Sequence, residues 1–193
     1  MASITGLRGA TDQEWYSWSV GTPGPALTEI TERFIDNPEA LSNVTVSITQ
    51  CDERLGDQGA ILGGVWAPDA LGGVVAAQWW AGVLSTPEED ELRSARRYER
   101  TIEGRTFDGE TTVFSQTLDS LFVDDTEAIL TYETQCEGDG SEAYILARAV
   151  FFPTWTKDRA VVEAMCPVFI LADEFAAQFR VIAESFALIG PHS

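Results

Sequence analysis

The strongest constraint in this sequence is a row of large apolar side chains near its C-terminus. Phe175, Phe179, Ile182 and Phe186 recur at spacings of four, three and four, and Leu171 extends the row backwards. That period places them on one face of a helix. Asp173 is the expected N-cap, and Glu174 suits a first turn whose amide dipoles favour acid. Gly190 and Pro191 are the expected stop. Burying each such side chain is worth roughly 1.5–3 kcal/mol before the entropy of ordering is charged. A helix with that stripe therefore needs a partner surface.

The two segments before it supply one. Ala143–Phe152 and Arg159–Cys166 alternate as strands. One face carries Ala143, Ile145, Ala147, Ala149 and Phe151, then Ala160, Val162, Ala164 and Cys166. These are mostly small, so a helix bearing phenylalanines can pack close. The opposite face is bulkier and mixed, with Tyr144, Leu146, Arg148, Val150 and Phe152, then Arg159, Val161, Glu163 and Met165. That side is expected to be a second layer, a pocket wall or a binding face.

Upstream, Trp15, Trp18 and Val20 indicate a first strand. Leu27, Ile30 and Phe34 have helical spacing, and Asn37-Pro38 marks a break. Val44, Val46 and Ile48 alternate with Thr45, Ser47 and Thr49, which predicts a half-buried strand over Asn43–Gln50. Ala60–Ala67 and Val74–Leu84 are predicted strands. A second helix is expected to start at the Thr86 cap, with Pro87 and Glu89 completing the signal, and to run to about Tyr98. Thr111–Thr117 and Glu127–Gln135 are further strands, the second with Ala128, Leu130 and Tyr132 on one face. The predicted fold class is α+β: a curved antiparallel sheet with a C-terminal helix packed on one face and a second mid-chain helix. Residues 1–14 are expected to be a flexible arm, 15–189 a single domain and 190–193 a tail.

The order of elements resembles a known family. Strands precede a mid-chain helix, an antiparallel run follows, and the C-terminal helix ends in a Ser-Phe-x-Leu step, here Ser185-Phe186-Ala187-Leu188. This resembles the Mog1/PsbP-like family, which includes the small LpqN-type proteins of actinobacteria. The likeness runs over Glu99–Ile189. The Trp-rich segment Val65–Leu84 and the long N-terminal arm depart from the pattern. Members of that family are mostly binding, assembly or accessory proteins, so the resemblance implies binding rather than catalysis. It brings no catalytic residues with it.

Charge narrows the partners. The chain of 193 residues has 31 acidic and 12 basic side chains, a net charge of −19. Such a surface repels nucleic acid and anionic lipid, and it suits a basic protein partner as well as simple solubility. No apolar run reaches the length of a membrane span. The first residues lack the pattern of a secretory signal, which points to a cytoplasmic setting. The three cysteines, Cys51, Cys136 and Cys166, form no CxxC pair and are expected to be reduced and mostly buried.

The chemistry on offer is limited. The single histidine, His192, lies in the expected tail, which argues against a Ser-His-Asp or Cys-His system and against a histidine-ligated metal. Lys157 falls in a predicted turn. No nucleotide-binding motif occurs, and no cofactor or metal is expected. Asp124, Asp125 and Glu127 read as a solvated turn. Arg93, Arg97 and Arg100 share a predicted helix face, where neighbouring acids can pair with them. Glu163 and Arg148 are expected to pair across the non-helix face of the sheet. Trp66, Trp79, Trp80, Tyr132 and Tyr144 are candidate pocket-lining aromatics, with core packing as the competing role. With Arg148 and Glu163 they make up the candidate binding set.

Three functions fit. The first is a non-catalytic binding or accessory module, of immunity type, taking a basic protein partner. The second is a small cofactor-free cyclase or isomerase holding a hydrophobic small molecule in an aromatic-lined pocket, with Glu133, Glu163, Tyr132 or Tyr144 moving protons. The third is a structural subunit of a larger assembly.

Overall fold

The computed structural model describes residues 3–9, 14–84, 94–108, 111–137 and 142–190. Its strands are β1 (Gly6–Arg8), β2 (Trp15–Ser19), β3 (Leu62–Trp66), β4 (Ala77–Leu84), β5 (Phe107–Asp108), β6 (Thr111–Val123), β7 (Thr126–Glu137), β8 (Ala143–Phe152), β9 (Arg159–Cys166) and β10 (Ala187–Ile189). Its α-helices are α1 (Gly24–Arg33), α2 (Pro38–Asp57), α3 (Ala95–Ile102) and α4 (Ala172–Glu184). Eight strands form one antiparallel sheet in the order β2-β3-β4-β9-β8-β7-β6-β5, and β1 pairs separately with β10. The fold is α+β.

The terminal helix packs as the sequence predicts. Phe175, Phe179 and Ile182 of α4 are fully buried in one cluster with Ala147, Ala149, Phe151, Val162 and Ala164. Two details differ. α4 begins after a 3-10 turn at Phe169–Leu171, so Asp173 lies inside the first turn and Leu171 takes the cap position without a side-chain bond. The helix also ends at Glu184, short of Gly190. Phe186 lies beyond that end, yet its ring stacks on Phe151 at 5.5 Å between centroids. The chain then runs out as β10, where Leu188 lies opposite Leu7 and Ile189 opposite Gly6. Residues 6–8, expected in a loose arm, are thus tied into a ladder.

The segment Asn43–Gln50 is not a strand. It lies within α2, a helix of 20 residues whose buried positions are Ala40, Val44, Ile48, Cys51 and Leu55. Those positions follow a helical period. Val46, which the alternating pattern would bury, is 50% exposed. Asn37-Pro38 is the start of this helix: the Asn37 side chain accepts a hydrogen bond from the Ala40 amide at 3.1 Å, and Pro38 fills the first turn, where no amide is needed.

The predicted start of the mid-chain helix at Thr86 lies outside the described residues. The described helix, α3, is capped by Ser94, whose hydroxyl accepts from the Arg97 amide. Ala95, Tyr98 and Ile102 face Ile129, Val150, Phe152 and Val161. α1 and α2 cover β2 and β3 through Tyr16, Trp18, Val65 and Ala67. Strand register puts these contacts on the face opposite α4.

On the α4 side, β3 accommodates a tryptophan by lacking a side chain. Gly64 lies opposite Trp79, and a Cβ on Gly64 would fall 2.0 Å from the indole nitrogen. All three cysteines are free thiols, Cys51 and Cys166 buried and Cys136 half-buried. Burial pushes the Cys51 and Cys166 thiols up from their ordinary range. Among the described residues no helix is long and apolar enough to cross a membrane.

Candidate functional site

Helices α2 and α3 stand on one face of the sheet and leave its central rows open between them. Two cross-strand rows form the floor. Gln78, Met165 and Leu146 lie side by side on β4, β9 and β8, and Trp80, Glu163 and Arg148 form the next row. Tyr144 and Gln135 close one end, and Arg54, Leu55 and Gln58 of α2 form a wall. The result is a cleft of about 310 Å³.

The predicted Arg148–Glu163 pair is present in this floor. The Arg148 Nε donates to Glu163 Oε2 at 2.7 Å, and the Trp80 indole N–H donates to Glu163 Oε1 at 3.3 Å. Both carboxylate oxygens are therefore engaged. The pair is about three-quarters shielded from solvent, with side-chain exposures of 25% and 21%. Burial is the largest single influence on Arg148 and lowers its pKa, but the charges and polar contacts of Glu163 and Tyr98 together outweigh it, and the guanidinium is held above its ordinary range. The Tyr98 hydroxyl lies within electrostatic reach of Arg148 without a hydrogen bond of good geometry. Burial pushes its pKa up.

A second polar cluster adjoins the cleft through Gln135. Glu133, 2% exposed, accepts from Arg105 Nη2 at 3.1 and 3.2 Å, from Gln116 Nε2 at 2.7 Å and from Gln135 Nε2. The Gly104 amide in turn donates to Gln116 Oε1 at 3.0 Å, fixing the loop after α3. Arg54 donates to Gln78 Oε1 and leans on the Cys51 sulfur.

The five candidate aromatics do not share one cavity. Trp80 and Tyr144 line the cleft. Trp66, Trp79 and Tyr132 belong to the core on the α4 side. Trp66 stacks on Trp15 at 5.7 Å, and Tyr132 meets Phe179 edge-on at 6.0 Å. The Asp124-Asp125 segment is a tight turn with both residues at positive φ, and no metal-binding cluster occurs among the described residues. Arg97 and Arg100 are exposed on α3, while Arg93 lies outside the described residues. The wall residues Arg54 and Gln58 were not foreseen, because their helix reads as a strand. The spacing of Val44, Ile48, Cys51 and Leu55 was the signal available.

The place of Tyr132 has a measurable consequence. Its hydroxyl donates to the Ala176 carbonyl of α4 at 3.3 Å, and burial pushes its pKa up to about 12. The folded protein then keeps a proton that the unfolded chain releases near pH 10. The contribution of this one group is fully present below about pH 10 and is lost as pH rises toward about 12, by up to roughly 2 kcal/mol once its partial exposure is discounted. Urea titrations across that window are expected to show the loss, and Tyr132→Phe is expected to reduce it.

No family model matches the sequence, and no curated protein matches it. Among solved structures, the chain is similar to the Ran-binding protein Mog1p of Saccharomyces cerevisiae, at 12% identity and a TM-score of 0.36 over 58% of this chain and 67% of that one. It is also similar to cyanobacterial PsbP (CyanoP) from Synechocystis sp. PCC 6803, at 10% identity and a TM-score of 0.42 over 97% of this chain and 95% of that one. At such values neither likeness says what this chain binds.

Proposed function

We propose that the protein is a non-catalytic binding module that docks a basic protein partner, with the cleft between α2 and α3 receiving an uncharged side chain of that partner. The observation that carries this reading is the cleft floor of Gln78, Trp80, Tyr144, Leu146 and Met165, apolar at its centre and ringed by the amides of Gln58 and Gln135 and the guanidinium groups of Arg54 and Arg148, whose charge selects an uncharged side chain there. A floor of that kind fits an apolar side chain with a peptide group beside it. The net charge of −19 attracts a cationic partner from a distance. Glu163 is the one carboxylate lining the cleft, and Arg148 and Trp80 occupy both its oxygens. That arrangement holds a shape rather than moving protons. The reading agrees with the Mog1/PsbP-like resemblance in the sequence. The proposed setting is cytoplasmic, where free thiols stay reduced.

The cyclase or isomerase reading needs the five aromatics around one apolar cavity. It is weakened because three of them lie on the far face of the sheet.

The test uses short lysine-rich peptides with one central leucine, titrated into the protein by isothermal calorimetry. Binding is expected to weaken at least tenfold between about 0.05 and 0.5 M salt, as charge screening requires. Gln78→Trp, which fills the cleft, is expected to weaken it at least tenfold, and so is replacing the leucine by lysine. Affinity untouched by Gln78→Trp would reduce the interaction to general adherence on an acidic surface and end the proposal.

A further inference from the structure

A second cavity, of about 470 Å³, lies across the sheet from the cleft, on the α4 side near the β2 edge. Strand register explains its floor. Ser17, Gly64 and Trp79 form one cross-strand row, and Ser19 and Leu62 start the next on the same face. Gly64 contributes no side chain, so the Trp79 indole lies across it toward Ser17. The indole nitrogen is the ring atom nearest to the place a Gly64 Cβ would take. Trp79 is 2% exposed, yet this N–H has no acceptor. Buried donors are rarely left unpaired, and one that lines a cavity points to an acceptor brought from outside. Leu7 and Arg8 of β1 form one wall, and Thr22 and Pro25, where α1 begins, close the end. The Arg8 guanidinium has no hydrogen bond or ion pair among the described residues, in a chain whose acids outnumber its bases 31 to 12. No Asp or Glu is among the described residues that line the cavity. α1 itself starts without a side-chain cap and without an acid in its first turn.

We propose that this cavity binds a single carboxylate carried on an apolar body. The donors select the head group. The Trp79 indole and the Arg8 guanidinium can only donate, so each requires an acceptor. A guanidinium matches a carboxylate with two parallel hydrogen bonds, and the uncapped start of α1 favours negative charge nearby. The walls select the body, because Leu7, Leu62 and Pro25 offer apolar surface around those donors. The volume falls within the usual range for small-molecule sites. Net charge sets the number of charges on the ligand. A chain at −19 repels a nucleotide or another polyanion far more strongly than an ion of charge −1. A free organic acid and the C-terminus of a peptide both present this chemistry.

Titration of phenylpropionate into the full chain, with the assigned indole N–H signals followed by NMR, tests this. The Trp79 signal is expected to move downfield as its N–H gains an acceptor, and to saturate with a Kd below about 1 mM. Phenylpropionamide, with the same body and no charge, is expected to bind at least tenfold more weakly. Arg8→Gln, at an exposed position, is expected to weaken binding of the acid at least tenfold while leaving the thermal melt unchanged. A short peptide ending in phenylalanine with a free carboxylate separates the two sources. Whichever of peptide and free acid binds more tightly names the source, and either result supports the site. No saturable shift with either ligand overturns the proposal, and so does equal affinity for the acid and its amide. A shift of the Trp80 signal in place of that of Trp79 would move the ligand to the cleft and also overturn it. Gln78→Trp, which fills the cleft, is expected to leave this binding unchanged, so failure here and failure of the cleft reading are distinguishable.

Discussion

Replacing Phe179 by alanine is expected to cost about 3–5 kcal/mol of stability, the usual range for a large aromatic removed from a packed core. Phe179 is fully buried between Tyr132 and Phe175, over a floor that includes Ala147, Ala149 and Ala164. Those alanines are short and fixed to strands, so they cannot lean in to fill the space. The cavity persists, and its cost adds to the lost transfer energy. Urea unfolding checks this: the midpoint falls while the slope, which follows the surface exposed on unfolding, is unchanged. Val181→Ala on the same helix, at a position 46% exposed, serves as the control and is expected to stay within about 0.5 kcal/mol. A Phe179→Ala loss no larger than that control would mean α4 is not seated on β8 and β9.

Glu133→Ala is expected to have a comparable effect, about 3–5 kcal/mol, for a different reason. No large void is involved. The substitution removes the acceptor on which the Arg105 guanidinium and the amides of Gln116 and Gln135 converge. The penalty is the desolvation of groups left without an acceptor. Removing the cation as well separates the two causes. Arg105→Met combined with Glu133→Leu is expected to recover much of the loss, because no buried charge is left unpaired. If the double variant is no more stable than Glu133→Ala, the cluster contributes shape rather than charge pairing.

Short-range pattern is enough to define the two strands beneath α4. β8 and β9 alternate cleanly because one face meets α4 and the other meets a different layer, and their limits match the reading residue for residue. The pairing of Arg148 with Glu163 followed from that register. Helix α2 was missed because Val44, Thr45, Val46, Ile48 and Thr49 favour strands locally, whereas burial of Val44, Ile48, Cys51 and Leu55 along one stripe decides for helix. That error carried over to the site, since the wall holding Arg54 and Gln58 exists only if this segment is helical. Trp66 and Trp79 illustrate another limit. Their neighbours in sequence do not reveal which face they take, and the Gly64 gap that seats Trp79 becomes visible only when strands pair.

The clasp between β1 and β10 bears on how the molecule yields to tension. Gly6 pairs with Ile189, so both chain ends leave the ladder from the same side. A pull on the two ends loads its hydrogen bonds one after another, as in peeling, rather than together, as in shear. The clasp therefore opens at low force, and Leu7, the buried residue of β1 itself, is the first core residue to feel the strain.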